Sequence, residues 1–416
     1  MADGRLIRCG LAWLALALLS VPGFAANFDW YRWRGPDLNG ISRETGWLAT
    51  WPKEGPKPLW KAAVGQGYSS MSVSRGRLYT MGVVGGAAEI KQGQETVWCL
   101  DAETGAVLWK RSYPYAFEPK YYDGGSSATP TVDGNRVFTL GQNGTLNCFD
   151  DARGDIVWTK HLPKDLGCSV GTWGFASSPL VQDKLLILNA GSAGTALDKT
   201  TGKVVWATGP AAHGYSSAVP FTMHGRRGVA LFAARAVVGV DLENGRELWR
   251  HPWKTDYDVN AADPIIVGDQ VFISSGYQRG AALLRITDGR AAVLWEHKDM
   301  RNHVNSCVLL EGHLYGPDDD VDRAPYLRCL EFKTGQSRWI FKDFPCSAVM
   351  AAEGKLIVQG ARGELMVAEA RPDTCRVLSK AQVLGGRCWT TPVLSNGRLY
   401  ARNAKGDLVC LDVRRK

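Results

Sequence analysis

Short apolar, β-rich runs broken by Gly, Asn or Asp recur along this chain. They include "SVSRGRLYTMG" at 72–82, "TVDGNRVFTLG" at 131–141, "LVQDKLLILNA" at 180–190 and "IIVGDQVFISS" at 265–275. Others are "LLEGHLYG" at 309–316, "EGKLIVQG" at 353–360 and "VLSNGRLYARN" at 393–403. Each joins two strand-like runs across a short turn, which predicts a β-hairpin. Downstream of most of them a third run carries Cys or a small residue and an acidic residue. A Gly-containing turn then leads to a fourth run bearing Trp. "CLDAETGAVLW" at 99–109, "CFDDARGDIVW" at 148–158 and "CLEFKTGQSRW" at 329–339 keep the same internal distances.

The tryptophans give the period. Trp60, Trp109, Trp158, Trp206, Trp249, Trp295 and Trp339 follow one another at 43–49 residues, and in a weaker copy, "AEARPDTCRVL" at 368–378, Leu378 is assigned the Trp position. Four antiparallel strands in each such period predict one propeller blade. Counting predicts eight blades. The last copy has only three strands, ending in "CLDVRRK" at 410–416, whereas "KPLWKAAVG" at 57–65 is a Trp strand with no blade before it. The two fragments complement each other. The expected fold is an all-β, eight-bladed propeller of four-stranded antiparallel blades, closed when the N-terminal strand completes the C-terminal blade. Closure leaves no open sheet edge at the seam.

A Cys repeated in this way invites a metal or redox reading, but strand geometry opposes it. Side chains alternate between the faces of a strand, so Cys99, Cys148, Cys329 and Cys410 share a column with Ala196 and Gly239. Equivalent positions in different blades are too far apart for a disulfide or a shared metal. The thiol acts there as a small hydrophobe. The structural repeat is Asp101/Gly105/Trp109, Asp150/Gly154/Trp158, Asp198/Gly202/Trp206 and Asp241/Gly245/Trp249. In it the Asp accepts backbone N–H groups of the turn, the Gly takes a positive φ, and the Trp covers a blade joint. One such indole buries surface worth roughly 4–6 kcal/mol, an upper bound.

Composition adds the setting. Residues 1–25 combine Arg5 and Arg8, the apolar run Leu11–Leu19 and the small residues of Gly23-Phe24-Ala25, which reads as a secretory signal peptide. A Trp- and Arg-rich arm follows at 26–56, ahead of the propeller at 57–416. The net charge of +8 is not gathered into a Lys/Arg cluster, and no second apolar run would span a bilayer. Nucleic acid is therefore not an expected partner, nor is a membrane span expected. The predicted location is exported, periplasmic or extracellular.

The seven histidines show no metal spacing, and no metal ligands are assigned. Asp318-Asp319-Asp320-Val321-Asp322 has the alternation of a calcium loop, but Arg323 and Cys329 occupy the places where Gly and Glu are needed, so a solvated acidic loop is expected. Cys346 and Cys388 are the one pair for which a bridge is considered.

Long connections gather at one end of the blades. They are expected at 82–95, 110–127, 160–178, 251–263 and 316–325. A ligand site is expected on that face and in the funnel beneath it. Counting back three residues from the Pro-like position that opens each blade gives an axial column of Tyr68, Ser127, Ala176, Tyr215, Ala261, Val304, Cys346 and Trp389. From the column and its neighbours, the candidate ligand-binding residues are Tyr68, Trp173, Tyr215, Asn260, Asn305, Arg387 and Trp389. Catalytic residues are not assigned.

The pattern Ala/Cys-x-Asp-x-x-x-Gly-x-x-x-Trp resembles the pyrroloquinoline-quinone (PQQ) repeat, which builds eight-bladed propellers of the BamB type and of quinoprotein dehydrogenases. The resemblance covers residues 57–416. It departs from the dehydrogenases in having neither a Cys-Cys pair nor a Cys-x-x-Cys-His haem site. What the resemblance implies stays divided. The first reading is an exported, non-catalytic propeller, without a cofactor, that binds an envelope protein, peptide or glycan. The second is a PQQ- and Ca-dependent oxidoreductase acting on alcohols or sugars.

Overall fold

The computed structural model describes Met1 and residues 27–415, apart from 88–90, 117, 118, 120, 121, 321 and 322; the signal-peptide assignment at 1–25 falls almost wholly outside these residues. The described strands form eight sheets, each with a four-stranded antiparallel core. The first blade is typical, with strands Ser72–Ser74, Arg77–Ala87, Gln92–Asp101 and Val107–Tyr115 running outward from the axis. Blades 2 to 7 occupy 131–161, 180–207, 219–252, 265–297, 308–341 and 346–382. The eighth consists of Val393–Ser395, Arg398–Arg402 and Asp407–Asp412, completed by the N-terminal strand Lys57–Ala63 in antiparallel register with Trp60 opposite Cys410. The ring closes as the strand pattern predicts.

The repeat motif works as a latch between blades. The Asp150 carboxylate accepts the N–H groups of Ala152 (3.1 Å) and Arg153 (3.3 Å), which folds the turn. Gly154 follows with φ of +72°, and a Cβ there would collide with the indole of Trp109 from the preceding blade at 2.5 Å. Gly105, Gly202 and Gly245 are closed off in the same way, by the indoles of Trp60, Trp158 and Trp206 at 2.6, 2.9 and 2.5 Å from where a Cβ would stand. Gly105, Gly154, Gly202 and Gly245 do more than supply a positive φ, and each packs against the Trp of the preceding repeat, not the Trp four residues downstream in its own. The indole of Trp109 also donates its Nε1–H to the Asp151 carbonyl at 2.9 Å. The same bond recurs from Trp60 to Ala102, Trp158 to Lys199, Trp206 to Leu242, Trp295 to Phe332 and Trp339 to Arg371. Trp249 differs. Blade 5 makes its last turn with Asp288-Gly289, and the Trp249 ring lies instead against Gly239 of its own blade, where a Cβ would meet it at 2.1 Å. The Cys column stands directly across the ladder from the Trp column, as in Cys148 opposite Trp158, so small side chains there make room for the indole.

Every outermost strand carries a bulge one residue before the Trp position. In blade 2, Trp158 pairs with Cys148 and Ile156 with Phe149, leaving Val157 extra. In blade 7, Ser379 pairs with Val367 and Val377 with Ala368. Leu378 is therefore the bulged residue and Ser379 holds the Trp position, one place beyond the sequence assignment. The N-terminal arm fills the space the missing indole leaves. Trp47, Ala49 and Trp51 are buried in one cluster with Val367 and Ala381, and Ser379 Oγ donates to the Ala49 carbonyl at 2.8 Å.

Two of the expected long loops are strands. Residues 82–95 belong mostly to an extended hairpin, and 316–325 lie largely in strands His313–Asp320 and Arg323–Glu331. The described part of the acidic run, Asp318–Asp320, is accordingly in a strand and not in a solvated loop. Asp318 is fully buried, held by Arg328 Nε at 2.8 Å and Arg301 Nε at 3.1 Å, and Arg301 Nη1 also reaches Asp320 at 3.1 Å. Strand pairing carries the carboxylates inward, and the two arginines, far away in sequence or on the facing strand, compensate them. All nine described cysteines are free, Cys346 and Cys388 among them. Burial pushes the thiols of Cys148 and Cys329 up to about 12, so they stay protonated and unreactive at neutral pH.

Candidate functional site

The inner ends of the blades are tied by a relay of hydrogen bonds between equivalent residues. The Ser70 N–H donates to Thr129 Oγ1 (3.1 Å), Thr129 N–H to Ser178 Oγ (2.9 Å), and Ser178 N–H to Ser217 Oγ (2.9 Å). The relay continues from Ser217 N–H to Asp263 Oδ1 (2.7 Å) and from Asp263 N–H to Ser306 Oγ (2.8 Å). Each acceptor stands just before the blade-opening position, Pro in "TP", "SP" and "DP" at 129–130, 178–179 and 263–264. Asp263 takes a place that Ser or Thr fills in the other blades of the relay.

Its second carboxylate oxygen explains the exchange. Asp263 Oδ2 accepts the Trp33 Nε1–H at 2.6 Å and lies 3.8 Å from Arg34 Nε. Both partners come from the N-terminal arm, which crosses the axis. Trp30 exchanges two backbone hydrogen bonds with Val73 of blade 1, and the Tyr31 carbonyl accepts from Val132 of blade 2. Arg32 reaches the Val181 carbonyl of blade 3, and Arg34 the Cys307 carbonyl at the entry to blade 6. Ile41–Ser42 then adds a fifth, parallel strand to the inside of blade 7. Val73, Val132 and Val181 stand five residues beyond Tyr68, Ser127 and Ala176, on the order of 15 Å deeper along the axis. The arm is thus a floor beneath the funnel.

Above that floor lies a cavity of about 560 Å³. Seven of the eight column residues line it: Tyr68, Ser127, Ala176, Tyr215, Ala261, Val304 and Trp389; Cys346 is buried outside the wall. Trp173 and Asn305 also line it. Two candidates do not. Asn260 is fully buried behind the wall, its amide donating to the carbonyls of Ala233 (2.9 Å) and Ala234 (3.0 Å). Arg387 stands at the rim, its guanidinium 4.6 Å from the Trp389 ring centre and 2.8 Å from Asp123 Oδ2. Asn305 lines the cavity but is also a tie, donating to the carbonyls of Ser347 (2.9 Å) and Trp389 (2.6 Å). The repeat residues take no part in the wall. Asp101, Gly105, Asp198, Gly202, Asp241 and Gly245 are confined to the outer turns, where the indoles join the blades.

The aromatic residues form two groups. Tyr68 stacks on Trp389 with ring centres 5.4 Å apart and meets Tyr122 at 5.7 Å, and Tyr122 meets Trp173 edge-on at 5.7 Å. Tyr68 Oη donates to Asp123 at 2.8 Å. Elsewhere on the wall, Tyr277 meets His303 edge-on at 4.9 Å, and Tyr257, well exposed at the rim, lies 5.6 Å from Tyr277. Tyr257, Asp258, Tyr277 and Gln278 all hold φ between +53° and +60°, a strained conformation for such side chains and one that concentrates at binding and catalytic sites. Sequence reading places Trp33 in the arm, as a residue that pins it to the propeller, but does not pick out Tyr122, Asp263 or Tyr277. Of these, Asp263 left a signal, as the acidic member of a Ser/Thr-Pro series.

Among the described residues the wall carries three carboxylates, Asp263, Asp319 and Asp320, and neither Lys nor Arg. Burial lowers the His303 pKa, so this imidazole is neutral near pH 7. Among the described residues no group of three or more His, Cys, Asp or Glu is placed to hold a metal ion. PQQ is a flat tricarboxylate, and in the quinoprotein reading a Ca²⁺ ion would have to stand between its carboxylates and ligands from the wall; the described residues offer no such ligand group, so they do not fit the pair.

A family model described as outer membrane protein assembly factor BamB matches residues 93–341. No curated protein matches. Among solved structures, BamB from Moraxella catarrhalis aligns over 86% of this chain and 99% of its own, at 15% identity and a TM-score of 0.59. Quinohemoprotein alcohol dehydrogenase from Comamonas testosteroni aligns over 94% of this chain and 81% of its own, at 13% identity and a TM-score of 0.64. The computationally designed Ika8 protein aligns over 86% of this chain and 100% of its own, at 13% identity and a TM-score of 0.55. At such identities these likenesses speak for the fold alone. The family match spans more than half of the sequence, and the chain belongs to the BamB-like family of PQQ-repeat propellers.

Proposed function

We propose that this protein is an exported, non-catalytic binding propeller that receives part of an envelope protein, a peptide or a glycan through the funnel on its loop-rich face. One observation carries the reading: the axial cavity is walled by aromatic and hydroxyl side chains and floored by the protein's own N-terminal arm. Such a well has a rigid frame, which suits retention of a ligand. The N-terminal leader in the sequence and the assembly role named in the BamB family description support an envelope setting. No helix among the described residues is long and apolar enough to cross a membrane.

The quinoprotein reading rests on the shared fold and on the carboxylates of the wall, but it lacks a group of metal ligands among the described residues. The test sets the two side by side. Full-length protein is supplied with PQQ and Ca²⁺ and assayed for dye reduction with alcohols and sugars. In parallel, a photo-crosslinker placed at exposed Tyr257 is used to capture envelope components. The expected outcome is no turnover, together with a cross-linked partner that is lost in Trp389→Ala. Turnover, or capture indifferent to Trp389, overturns the proposal.

A further inference from the structure

We infer that the funnel holds the end of a neutral oligosaccharide, with a sugar ring laid against the aromatic wall and its hydroxyls bonded to neutral groups of the lining. The inference rests on the binding reading above and narrows it to one ligand chemistry. The cavity, at about 560 Å³, falls in the range of roughly 300–1,000 Å³ usual for small-molecule sites. Its lining includes neutral hydrogen-bonding groups that the fold leaves open. Ser178 and Ser217 serve the relay as acceptors through Oγ, so each hydroxyl keeps its proton for another partner, and both line the cavity. Ser127 lines it as well, and its hydroxyl makes no hydrogen bond among the described residues. Neither does the imidazole of His303, which meets Tyr277 edge-on at 4.9 Å. In the neutral form that burial favours, this ring offers one nitrogen as donor and the other as acceptor. A ligand matched to these groups both gives and takes uncharged hydrogen bonds, as a sugar hydroxyl does.

Aromatic rings supply the second half of the recognition. The apolar C–H face of a pyranose packs on the electron-rich face of a Tyr or Trp ring. The wall offers rings in two places, Tyr68 with Trp389 and, elsewhere, Tyr277 beside His303. Charge does not decide the binding, because the protein itself supplies cations to the carboxylates. Asp263 lies 3.8 Å from Arg34, and Asp320 lies 3.1 Å from Arg301. An ionic ligand would compete with those pairs, whereas a hydroxyl can donate to a carboxylate that keeps its arginine, since each carboxylate has about four acceptor sites. A peptide finds less here. Ser127, Ala176, Ser217, Ala261 and Val304 all stand ahead of the first strand of their blades, so an extended chain would meet side chains there in place of a strand edge to pair with.

Titration calorimetry on full-length protein tests this with four probes: cellotetraose, maltotetraose, tetra-alanine and tetra-arginine. Expected is saturable one-to-one binding of at least one tetrasaccharide, with an affinity that added salt leaves unchanged. His303→Phe, which keeps a ring against Tyr277 but removes both nitrogens, should weaken it about tenfold, and Ser127→Ala about threefold. The two variants are read independently, so one that fails to fold leaves the other to decide. Asp373→Asn, between the last two strands of blade 7, should change nothing. No binding of either tetrasaccharide overturns the inference, as does sugar binding that both variants leave intact, sugar binding weakened by salt, or comparable binding of either peptide. If a peptide binds and neither sugar does, the saccharide inference falls while the binding reading stands; turnover with PQQ and Ca²⁺ removes both.

Discussion

At the scale of single residues, the repeated Cys and Trp divide their labour by size. Trp158 covers the joint to blade 3, its Nε1–H held by the Lys199 carbonyl at 3.1 Å, and Cys148 across the ladder keeps space beneath the ring. Trp158→Ala removes ring contacts and one inter-blade hydrogen bond and should cost about 3–5 kcal/mol in chemical denaturation. Cys148→Ala should change stability by less than about 1 kcal/mol. A Cys148→Ala protein that kept its fold yet lost a ligand would contradict a packing role for the thiol. The left-handed Gly202 belongs to the same joint, because any side chain there would strike the Trp158 ring.

At the scale of elements, the first blade carries a buried acid at its joint with the second. Glu95 is wholly buried, and its Oε1 accepts Ser126 Oγ–H at 2.8 Å and the Gln142 N–H at 3.3 Å. Burial raises its pKa above the ordinary 4.5, and these hydrogen bonds oppose the shift without cancelling it. Between the ordinary value and the raised one, the folded chain keeps a proton that the unfolded chain has lost. Stability from this group is therefore full below the ordinary value and falls as pH rises to the raised one. Denaturation midpoints from about pH 4 to about pH 8 should fall more steeply for the native protein than for Glu95→Gln, which has no such proton to lose. Equal slopes would remove Glu95 as the cause. The arm works at this scale too, with Trp47 and Trp51 packing where blade 7 has a serine in place of the repeat indole.

At the scale of the whole molecule, the seam between the last blade and the first must hold the ring shut. Arg402 is fully buried there and donates to the carbonyls of Ser69 (3.0 Å), Met81 (2.7 Å), Gly65 (2.9 Å) and Gly67 (3.2 Å) and to Thr80 Oγ1 (2.9 Å). Burial lowers its pKa to about 10, so it remains charged near neutrality. Arg402→Met would leave five acceptors in a dry seam without their donor. A loss of about 3–5 kcal/mol is expected in urea denaturation, with hydrogen exchange rising first in blades 1 and 8. A loss below about 1 kcal/mol would show that the antiparallel strand Lys57–Ala63 closes the ring unaided.

The period of the chain determined the architecture: eight blades, four strands in each, and a seam made from both termini. Strand alternation and turn chemistry are local rules, so they can be read from neighbouring residues, and the axial column Tyr68, Tyr215 and Trp389 follows from the same count. Leu378 was misassigned because a bulge shifts register without changing residue type, and 316–325 was read as loop because its charges hide a strand. The positive φ of Gly105 and Gly245 was legible as turn chemistry, but the indoles that close over them come from the repeat before, a contact between blades that no single repeat reveals. Only the tertiary structure brought Trp33 to Asp263, 230 residues away, and set Arg301 and Arg328 against Asp318. Such pairings have no period. They are fixed by burial, which forces each carboxylate carried inward to find a cation or an N–H from whichever segment packs against it.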